Sequence, residues 1–206
     1  MKTRQKILIS LAAVLLGTGA SLLAGDSSTP ASGLLGRNYF EGRYVWTKLS
    51  DSPVDANGFA FDANWSVRSN LDFTMGYDWL ETESYFGIKG ERRTLLVGLR
   101  LMSRPDRSRF YVEAAAGYGW ASVTTVGSDN ASAFRAGVGA EFACTPSIVL
   151  TPFLNATRYG GDGDDTIVNY GVKASFLLGE NWHVATSIQR DDDNNMSYGA
   201  GLGFRF

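Results

Sequence analysis

The chain of 206 residues has room for one domain of ordinary size or two small ones. Hydrophobic residues make up 44% of it and charged residues 19%, a composition that excludes general disorder. The net charge of -2 excludes the basic surface that a nucleic-acid partner requires, and a single cysteine and a single histidine exclude a disulfide and a multi-histidine zinc site, so we expect no cofactor.

The N-terminal 24 residues have the layout of a secretory signal peptide. Three basic residues precede a run at 7–16 that is apolar except for Ser10, and small residues follow it. This run is too short for a spanning helix, which needs about 20 apolar residues. We therefore expect residues 1–24 to direct export and to be cleaved. Residues 25–37, rich in Gly, Ser and Thr, are expected to be a flexible periplasmic lead-in to a folded domain at 38–206.

From residue 38 onward, large apolar residues alternate with small or charged ones, which is the pattern of a β-strand with one apolar face. In the last segment, Met196, Leu202 and Phe204 share one face, while Arg205 and several glycines share the other. The same pattern recurs in ten segments. We predict strands at 38–48, 58–67, 70–80, 92–102, 109–122, 133–143, 147–158, 166–178, 182–189 and 195–206.

The seventh segment is the weakest, because Pro152 lies within it and proline cannot donate to a strand ladder. We expect a bulge at this residue or an error in the strand. The connections alternate in character along the chain. Every second connection is a tight turn, whereas the others, such as 81–91 and 124–130, are longer or more acidic. Turns at one end and loops at the other indicate an antiparallel up-and-down meander.

Aromatic residues favour a barrel that lies in a membrane. They occur near both ends of the apolar face and leave an aliphatic band between them, as at the two interfaces of a transmembrane barrel. Strands of about 10 residues cross a bilayer when tilted, and in lipid their backbone groups can pair only in a closed barrel. The predicted fold is all-β, a transmembrane antiparallel up-and-down β-barrel of ten strands. Eight strands are the alternative if segments one and seven are wrong.

The C-terminus ends in Gly-Leu-Gly-Phe-Arg-Phe. It resembles the C-terminal signal that bacterial outer-membrane proteins present to their insertion machinery, with Gly201, Phe204 and Phe206 as the matching residues. The chain as a whole resembles the small outer-membrane barrels of the OmpA, OmpX and Opa type. This resemblance implies a place in the outer membrane of a Gram-negative-type bacterium, with outer-membrane lipid and the barrel-assembly machinery as partners, and it implies no active site.

Eleven charged residues occupy the inward-facing positions of the predicted strands. They are Glu41, Arg43, Asp62, Asp72, Asp78, Arg100, Glu113, Arg135, Glu141, Lys173 and Arg205. Buried charges must pair or cost several kcal/mol each, and a barrel of this size is barely wider than its own side chains. We therefore expect a charge network that fills the lumen, with Arg100 between Asp72 and Glu113. A charged pore is the alternative.

Two further features have competing interpretations. His183 faces inward near the turn end, and we interpret it as a hydrogen-bonded interior residue, because no acid or serine groups with it at the loop end as catalysis would require. The acidic loops at 160–165 and 191–193 are interpreted as solvated tips, with Ca²⁺ binding as the alternative.

The sequence therefore predicts a structural, envelope-integrity or surface-interaction role without enzymatic activity. A narrow passive channel for ions or small solutes is the alternative. A surface ligand is not identified by any motif.

Overall fold

Ten antiparallel strands form a closed barrel in the computed structural model, which describes residues 33–104, 108–124, 126–160 and 165–206. The strands are β1 (Tyr39–Lys48), β2 (Ala56–Arg68), β3 (Leu71–Thr82), β4 (Gly90–Met102), β5 (Ser108–Val123), β6 (Gly127–Thr145), β7 (Ile148–Tyr159), β8 (Asp165–Leu178), β9 (Trp182–Asp191) and β10 (Met196–Arg205). The predicted signal segment 1–24 lies outside the described residues.

Each strand pairs with its sequence neighbours, and the first pairs with the last to close the sheet. At this closing seam Tyr39 lies opposite Arg205 at the turn end, and Lys48 lies opposite Met196 at the loop end. The predicted ten-stranded up-and-down barrel is therefore confirmed, and the eight-stranded alternative is wrong. Within the described ranges, no helix is long and apolar enough to cross a membrane.

The period-two pattern separates the two faces of every strand. On β1, Phe40 and Tyr44 point outward and are 49% and 50% exposed, whereas Glu41 between them is only 2% exposed. Side chains alternate in this way because successive Cβ atoms of a strand point to opposite faces. The outside of the barrel is consequently apolar, and the lumen receives the charged, hydroxyl and glycine positions.

Aromatic contacts form a band at each end of the outer surface. At the turn end the rings of Phe40 and Phe206 stack with their centroids 5.2 Å apart across the closing seam. At the loop end Trp46 and Tyr198 stack across the same seam at 5.3 Å. Tryptophan and tyrosine favour a membrane–water interface because one part of the ring system is apolar and the other part is polar.

Pro152 lies within an unbroken strand, so the expected bulge at this residue is wrong. On one side its partner is Val172 of β8. Pairing with β6 is interrupted only beside Pro152, and the register is the same before and after the gap. Two successive residue pairs are missing from the ladder at this point, and the strand is not displaced. The register shift between β6 and β7 lies instead beside the tight turn, between Ala143 and Thr145.

The hairpin of β5 and β6 is longer than the sequence indicated. Residues 127–130, which were predicted to be part of a loop, continue β6, and Val123 pairs directly with Gly127. Pairing of β6 with β7 begins only at Ala133. The tip of the hairpin therefore extends beyond the rim of the barrel at the loop end.

Residues 33–37, which we call the N-terminal strap, lie inside the turn end of the barrel. Leu34 and Leu35 are 3% and 6% exposed, and Leu35 packs against Met102 and Tyr111. This differs from the flexible lead-in expected for 25–37, since these two leucines bury their side chains in the lumen. Residues 25–32 lie outside the described part of the chain.

The closed ladder predicts heat-modifiable migration. We expect the folded protein in detergent to run differently on a gel before and after boiling, because a closed barrel has no free edge at which unpairing can start. Paired unheated and boiled samples measure this difference. Protein kept in urea should run at one position with or without heat, and identical migration of the folded and boiled samples would contradict the closed barrel.

Candidate functional site in the barrel interior

The eleven charged residues predicted to face inward all lie on inner-face positions of their strands. The described structure divides them among a cluster around Glu41, a pair formed by Arg100 and Glu113, a set at the turn end and a pair near the loop end. Glu41 and Asp72 are the most deeply buried, at 2% and 0% exposure. The lumen is therefore organised in layers along the barrel axis.

Glu41 is the centre of the first cluster, with a side chain that is fully buried. Its carboxylate lies 3.0 Å from Nε of Arg43, 3.3 Å from Nζ of Lys173 and 2.8 Å from Nε2 of His183. These partners come from β1, β8 and β9, so the cluster joins strands on both sides of the closing seam. A carboxylate can be retained in such a site only when several donors replace its water.

Arg43 extends this cluster to two further strands. One of its Nη atoms contacts the Asp62 carboxylate of β2, and the other donates to the Ser187 hydroxyl of β9 at 3.2 Å. The guanidinium therefore bridges the lumen between carboxylates and a hydroxyl. Its fork of five N–H donors makes this possible, whereas a lysine would supply a single point charge.

His183 is fully buried and belongs to the same cluster. Its ring packs edge-on against Tyr39 at a centroid distance of 5.8 Å. Space for the ring comes from Gly203 on the neighbouring strand, where a Cβ would lie only 2.1 Å from a ring carbon. Gly139 gives the same space to Tyr111, with a Cβ distance of 2.4 Å. The glycines of the inner face thus accommodate large side chains from the adjacent strand.

Arg100 and Glu113 form the second pair. The guanidinium donates to Glu113 Oε2 from Nε at 3.0 Å and from Nη2 at 2.7 Å, and it lies 4.7 Å from the centre of the Tyr111 ring. The expectation that Arg100 also contacts Asp72 is wrong. Although these two residues are opposite each other in the β3–β4 register, the Arg100 guanidinium is directed to Glu113, and Asp72 Oδ2 accepts from Gly36 and Asn64 instead.

Asp72 and Glu141 bind the backbone of the strap. Glu141 Oε2 accepts from the N–H groups of Leu34 at 3.0 Å and Leu35 at 3.1 Å, and Asp72 Oδ2 accepts from the N–H of Gly36 at 2.9 Å. Because the segment has no strand ladder of its own, these carboxylates supply the acceptors that its buried amides need. Two of the predicted network acids therefore hold a peptide segment rather than a basic side chain.

Arg109 and Asn64 complete the contacts to the strap. Arg109 donates to the carbonyl of Leu35 and, at 2.9 Å, to that of Ser69. Asn64 donates from Nδ2 to the carbonyl of Arg37 and to Asp72 Oδ2, both at 2.8 Å. Sequence reasoning missed both residues, although the alternating pattern of their strands places both at inward-facing positions. Extending the period-two pattern to the first residue of the fifth segment would have found Arg109.

Glycines let the strap approach these partners closely. A Cβ on Gly33 would lie 1.8 Å from an oxygen of Glu141, so this position has no room for a side chain. Gly36 has a φ of +73°, which is left-handed backbone that side chains disfavour. The Gly-Leu-Leu-Gly sequence thus suits a segment that enters the lumen. Its leucines fill space there, and its glycines allow close contact and a left-handed backbone.

Nearer the loop end the polar groups are less completely paired. Arg135 donates from Nε to the Thr157 hydroxyl at 3.1 Å, while its Nη2 lies 3.8 Å from Asp78. The Thr94 and Tyr159 hydroxyls lie 3.2 Å apart. A cavity of about 470 Å³ extends through the lumen toward this end, and its lining includes both pairs.

The remaining predicted residues lie at the two ends of the barrel. Arg205 donates to the carbonyls of Gly179 at 2.7 Å and Trp182 at 3.0 Å, and it therefore holds the β8–β9 turn. Phe204 and Phe206 face outward at the turn end, and Gly201 faces inward.

The acidic loops show no assembled cation site within the described residues. The Asp191 carboxylate accepts from the N–H groups of Asp193 at 3.0 Å and Asn195 at 2.9 Å and so closes its own turn. Most of the other acidic loop, residues 161–164, lies outside the described structure.

Comparison with protein-family models agrees with this architecture. The model of the outer membrane protein beta-barrel domain matches residues 10–206. No curated protein matches the sequence significantly. Similar solved structures include Ail of Yersinia pestis, with 15% identity over 82% of this chain and 97% of that chain and a TM-score of 0.44. Neisserial surface protein A has 16% identity, the same two coverages and a TM-score of 0.46.

The N-terminal barrel domain of OprF from Pseudomonas aeruginosa is also similar, with 14% identity over 82% of this chain and 98% of that chain and a TM-score of 0.40. The family model covers nearly the whole chain, including all ten strands. The protein therefore belongs to the outer-membrane β-barrel family, and its barrel lies in the outer membrane.

Proposed function

We propose that this protein is a structural component of the outer membrane with a role in envelope integrity or surface contact, and that its lumen is closed. The observation that carries the proposal is the strap, whose backbone is bound by Glu141, Asp72 and Arg109 at the turn end. In outer-membrane barrels this end, with short turns, faces the periplasm. The Glu41 cluster adds a second closed layer.

A narrow passive channel is the second candidate, and the cavity of about 470 Å³ favours it. For conduction the strap would have to leave the lumen, since its leucines are almost completely buried there. Exposed loops at the opposite end offer contact surfaces that need no such movement. The closed lumen therefore supports the structural role over the channel.

The proposed role is not enzymatic. The single histidine of the chain, His183, is fully buried and hydrogen-bonded to Glu41, so its Nε2 is engaged and screened from a substrate. A general base must come within hydrogen-bond reach of the proton that it removes. The position of His183 supports packing and charge pairing instead.

The proposed partners are outer-membrane lipid and the barrel-assembly machinery. The apolar outer face with its two aromatic bands supports the first. The second rests on the terminal Phe204 and Phe206, which leave their rings on the outside of the closing seam, where Phe206 stacks on Phe40.

Replacing Arg100 by Met should destabilise the barrel by about 3–5 kcal/mol, because it leaves the buried Glu113 carboxylate without its partner. Urea titration of the lipid-folded protein measures this change. Arg93→Met on the same strand is the matched control, since Arg93 pairs with Glu91 on the exposed outer surface, where screening leaves an ion pair with little effect on stability. A loss below about 1 kcal/mol for Arg100→Met, together with conductance of the parent, would favour the channel.

Expelling the strap should open the lumen. The double change Leu34→Asp and Leu35→Asp places two carboxylates beside Glu141 and Asp72, and like charges in a buried site repel. We expect the parent to be silent in planar bilayers and the variant to conduct. Val126→Asp, at an exposed loop tip, should stay silent. Steady conductance of the parent would contradict the closed lumen.

Deleting Phe206 should impair assembly more than stability. An exposed aromatic pair contributes about 0.5–1.5 kcal/mol, which is small compared with the closed ladder. We expect the truncated chain to be depleted from the outer membrane in fractionated cells. Phe40→Ala removes the same ring stack but leaves the C-terminus intact, so it should reach normal levels. Equal outer-membrane levels of the truncated and parent chains would refute the signal role.

A further inference from the structure

The loop-side part of the lumen cavity, which we call the vestibule, differs from the closed layers below it. In the layers near the turn end, Glu41 has three basic partners, and Asp72 and Glu141 accept from backbone amides. In the vestibule, by contrast, polar side chains point into open space with few protein partners. The vestibule polar groups are therefore more accessible to a ligand than those of the closed layers.

Three amides on consecutive strands form one wall of the vestibule. Asn155 of β7 lies opposite Asn169 of β8 at a marginal N···O distance of 3.5 Å, and Gln189 of β9 lines the same cavity. Gln189 has no side-chain hydrogen bond to any described residue. Each amide carries two donors and an acceptor, so this wall presents both donors and acceptors.

The opposite wall is aliphatic only in part, since Asp78 and Thr94 also lie on it. Ala60, Leu80, Leu96 and Ala115 of β2 to β5 face inward and line the cavity, and Leu96 is only 3% exposed. Apolar inner-face residues are unexpected here, because the lumen side of an outer-membrane barrel is usually polar. The vestibule is therefore an amphipathic cleft within the barrel.

A charge pair and a hydroxyl pair span the vestibule between its walls. Asp78 and Arg135 lie 3.8 Å apart, which is too long for a direct hydrogen bond, so a hydroxyl group beside the pair can donate to Asp78 and accept from Arg135. Because the two charges oppose each other, the pair itself gives no net attraction for an ion of either sign. Arg92 and Asp191, which also line the cavity, add one charge of each sign.

We infer that the vestibule binds a small neutral polyhydroxylated solute, a saccharide of one or two rings. Its hydroxyl groups, each both donor and acceptor, match the amide wall and the Asp78–Arg135 pair. Its C–H face matches the aliphatic wall. The whole lumen cavity, of which the vestibule is the loop-side part, has a volume of about 470 Å³, which is within the usual range for small-molecule sites. This binding goes beyond the proposed envelope role and does not require conduction.

Saturation-transfer difference NMR on the protein refolded in lauryldimethylamine oxide tests the inference, since this detergent has no sugar headgroup. The probe is sucrose, and sodium acetate and glycine betaine are the charged and zwitterionic comparators. We expect saturation of sucrose protons and little of the comparators. Asn169→Leu, which removes one amide from the polar wall, should weaken sucrose binding roughly three- to tenfold, as expected for one or two lost hydrogen bonds.

Asn57→Leu is the matched control, because it makes the same change on the outer face near the same end of the barrel. It should leave sucrose binding unchanged. Ala115→Phe is the second variant, which fills the vestibule from the aliphatic wall without touching a polar group, and it should abolish binding. Gel heat-modifiability confirms that each variant is folded, and if Asn169→Leu does not fold, Ala115→Phe decides alone.

Three outcomes would overturn the inference. These are no saturation of sucrose in the parent, equal saturation in the parent and Ala115→Phe, and stronger saturation of acetate or betaine than of sucrose. The planar-bilayer conductance test of the closed lumen does not depend on any of these outcomes. Failure of saccharide binding therefore does not contradict the proposed envelope role.

Discussion

Closure of the hydrogen-bond ladder is the constraint on which the rest of the structure depends. In lipid each backbone N–H and C=O needs a partner within the protein, and pairing of β1 with β10 provides the last of them. Once the sheet is closed, every second side chain must enter a lumen of ten-strand radius. The side chains that enter it are those that lipid would not accept, so charge becomes concentrated in the narrowest space of the molecule.

Two solutions to this concentration of charge occur along the barrel axis. Near the turn end, carboxylates are neutralised by several donors at once, as at Glu41, or bind backbone amides, as at Glu141. Glycines on neighbouring strands then give the large side chains room, as Gly203 does for His183. Near the loop end, pairing is looser, and an aliphatic wall replaces part of the charge. The lumen is thus closed near the turn end, whereas near the loop end it keeps space for a solute.

The sequence predicts the fold well because a period of two has a direct geometric meaning. The inward parity of Glu41 and Arg100 follows from counting alone, and the strand number follows from ten repeats of the pattern. The alternation does not show which of the neighbouring charged residues an inward-facing side chain contacts. Arg100 lies opposite Asp72 in one register and beside Glu113 in the other, and only side-chain geometry decides for Glu113.

The strap shows a second limit of pattern reasoning. Leu34 and Leu35 lie in a Gly- and Ser-rich segment with no period, so their burial leaves no signal in the alternation. Their cradle consists of side chains from β2 to β6, far away in sequence. Pro152 is the opposite case. Its missing N–H donor suggested a bulge, but the β6–β7 register is the same on both sides of it.

The interior charges also explain why the register of the barrel is unique. A slip of one residue would reverse the two faces of a strand and carry Glu41 or Arg43 into lipid, while Phe40 and Tyr44 would enter the lumen. A charge on the lipid face costs about 2–4 kcal/mol at the bilayer midplane for a basic residue. Several strands carry such a charge on the inner face, so each shifted pairing loses its ion pairs and gains unpaired charges in lipid at the same time. Buried ion pairs add little net stability in general, because removing the ions from water offsets their attraction. Their contribution in this barrel is to make every alternative pairing much worse than the native one.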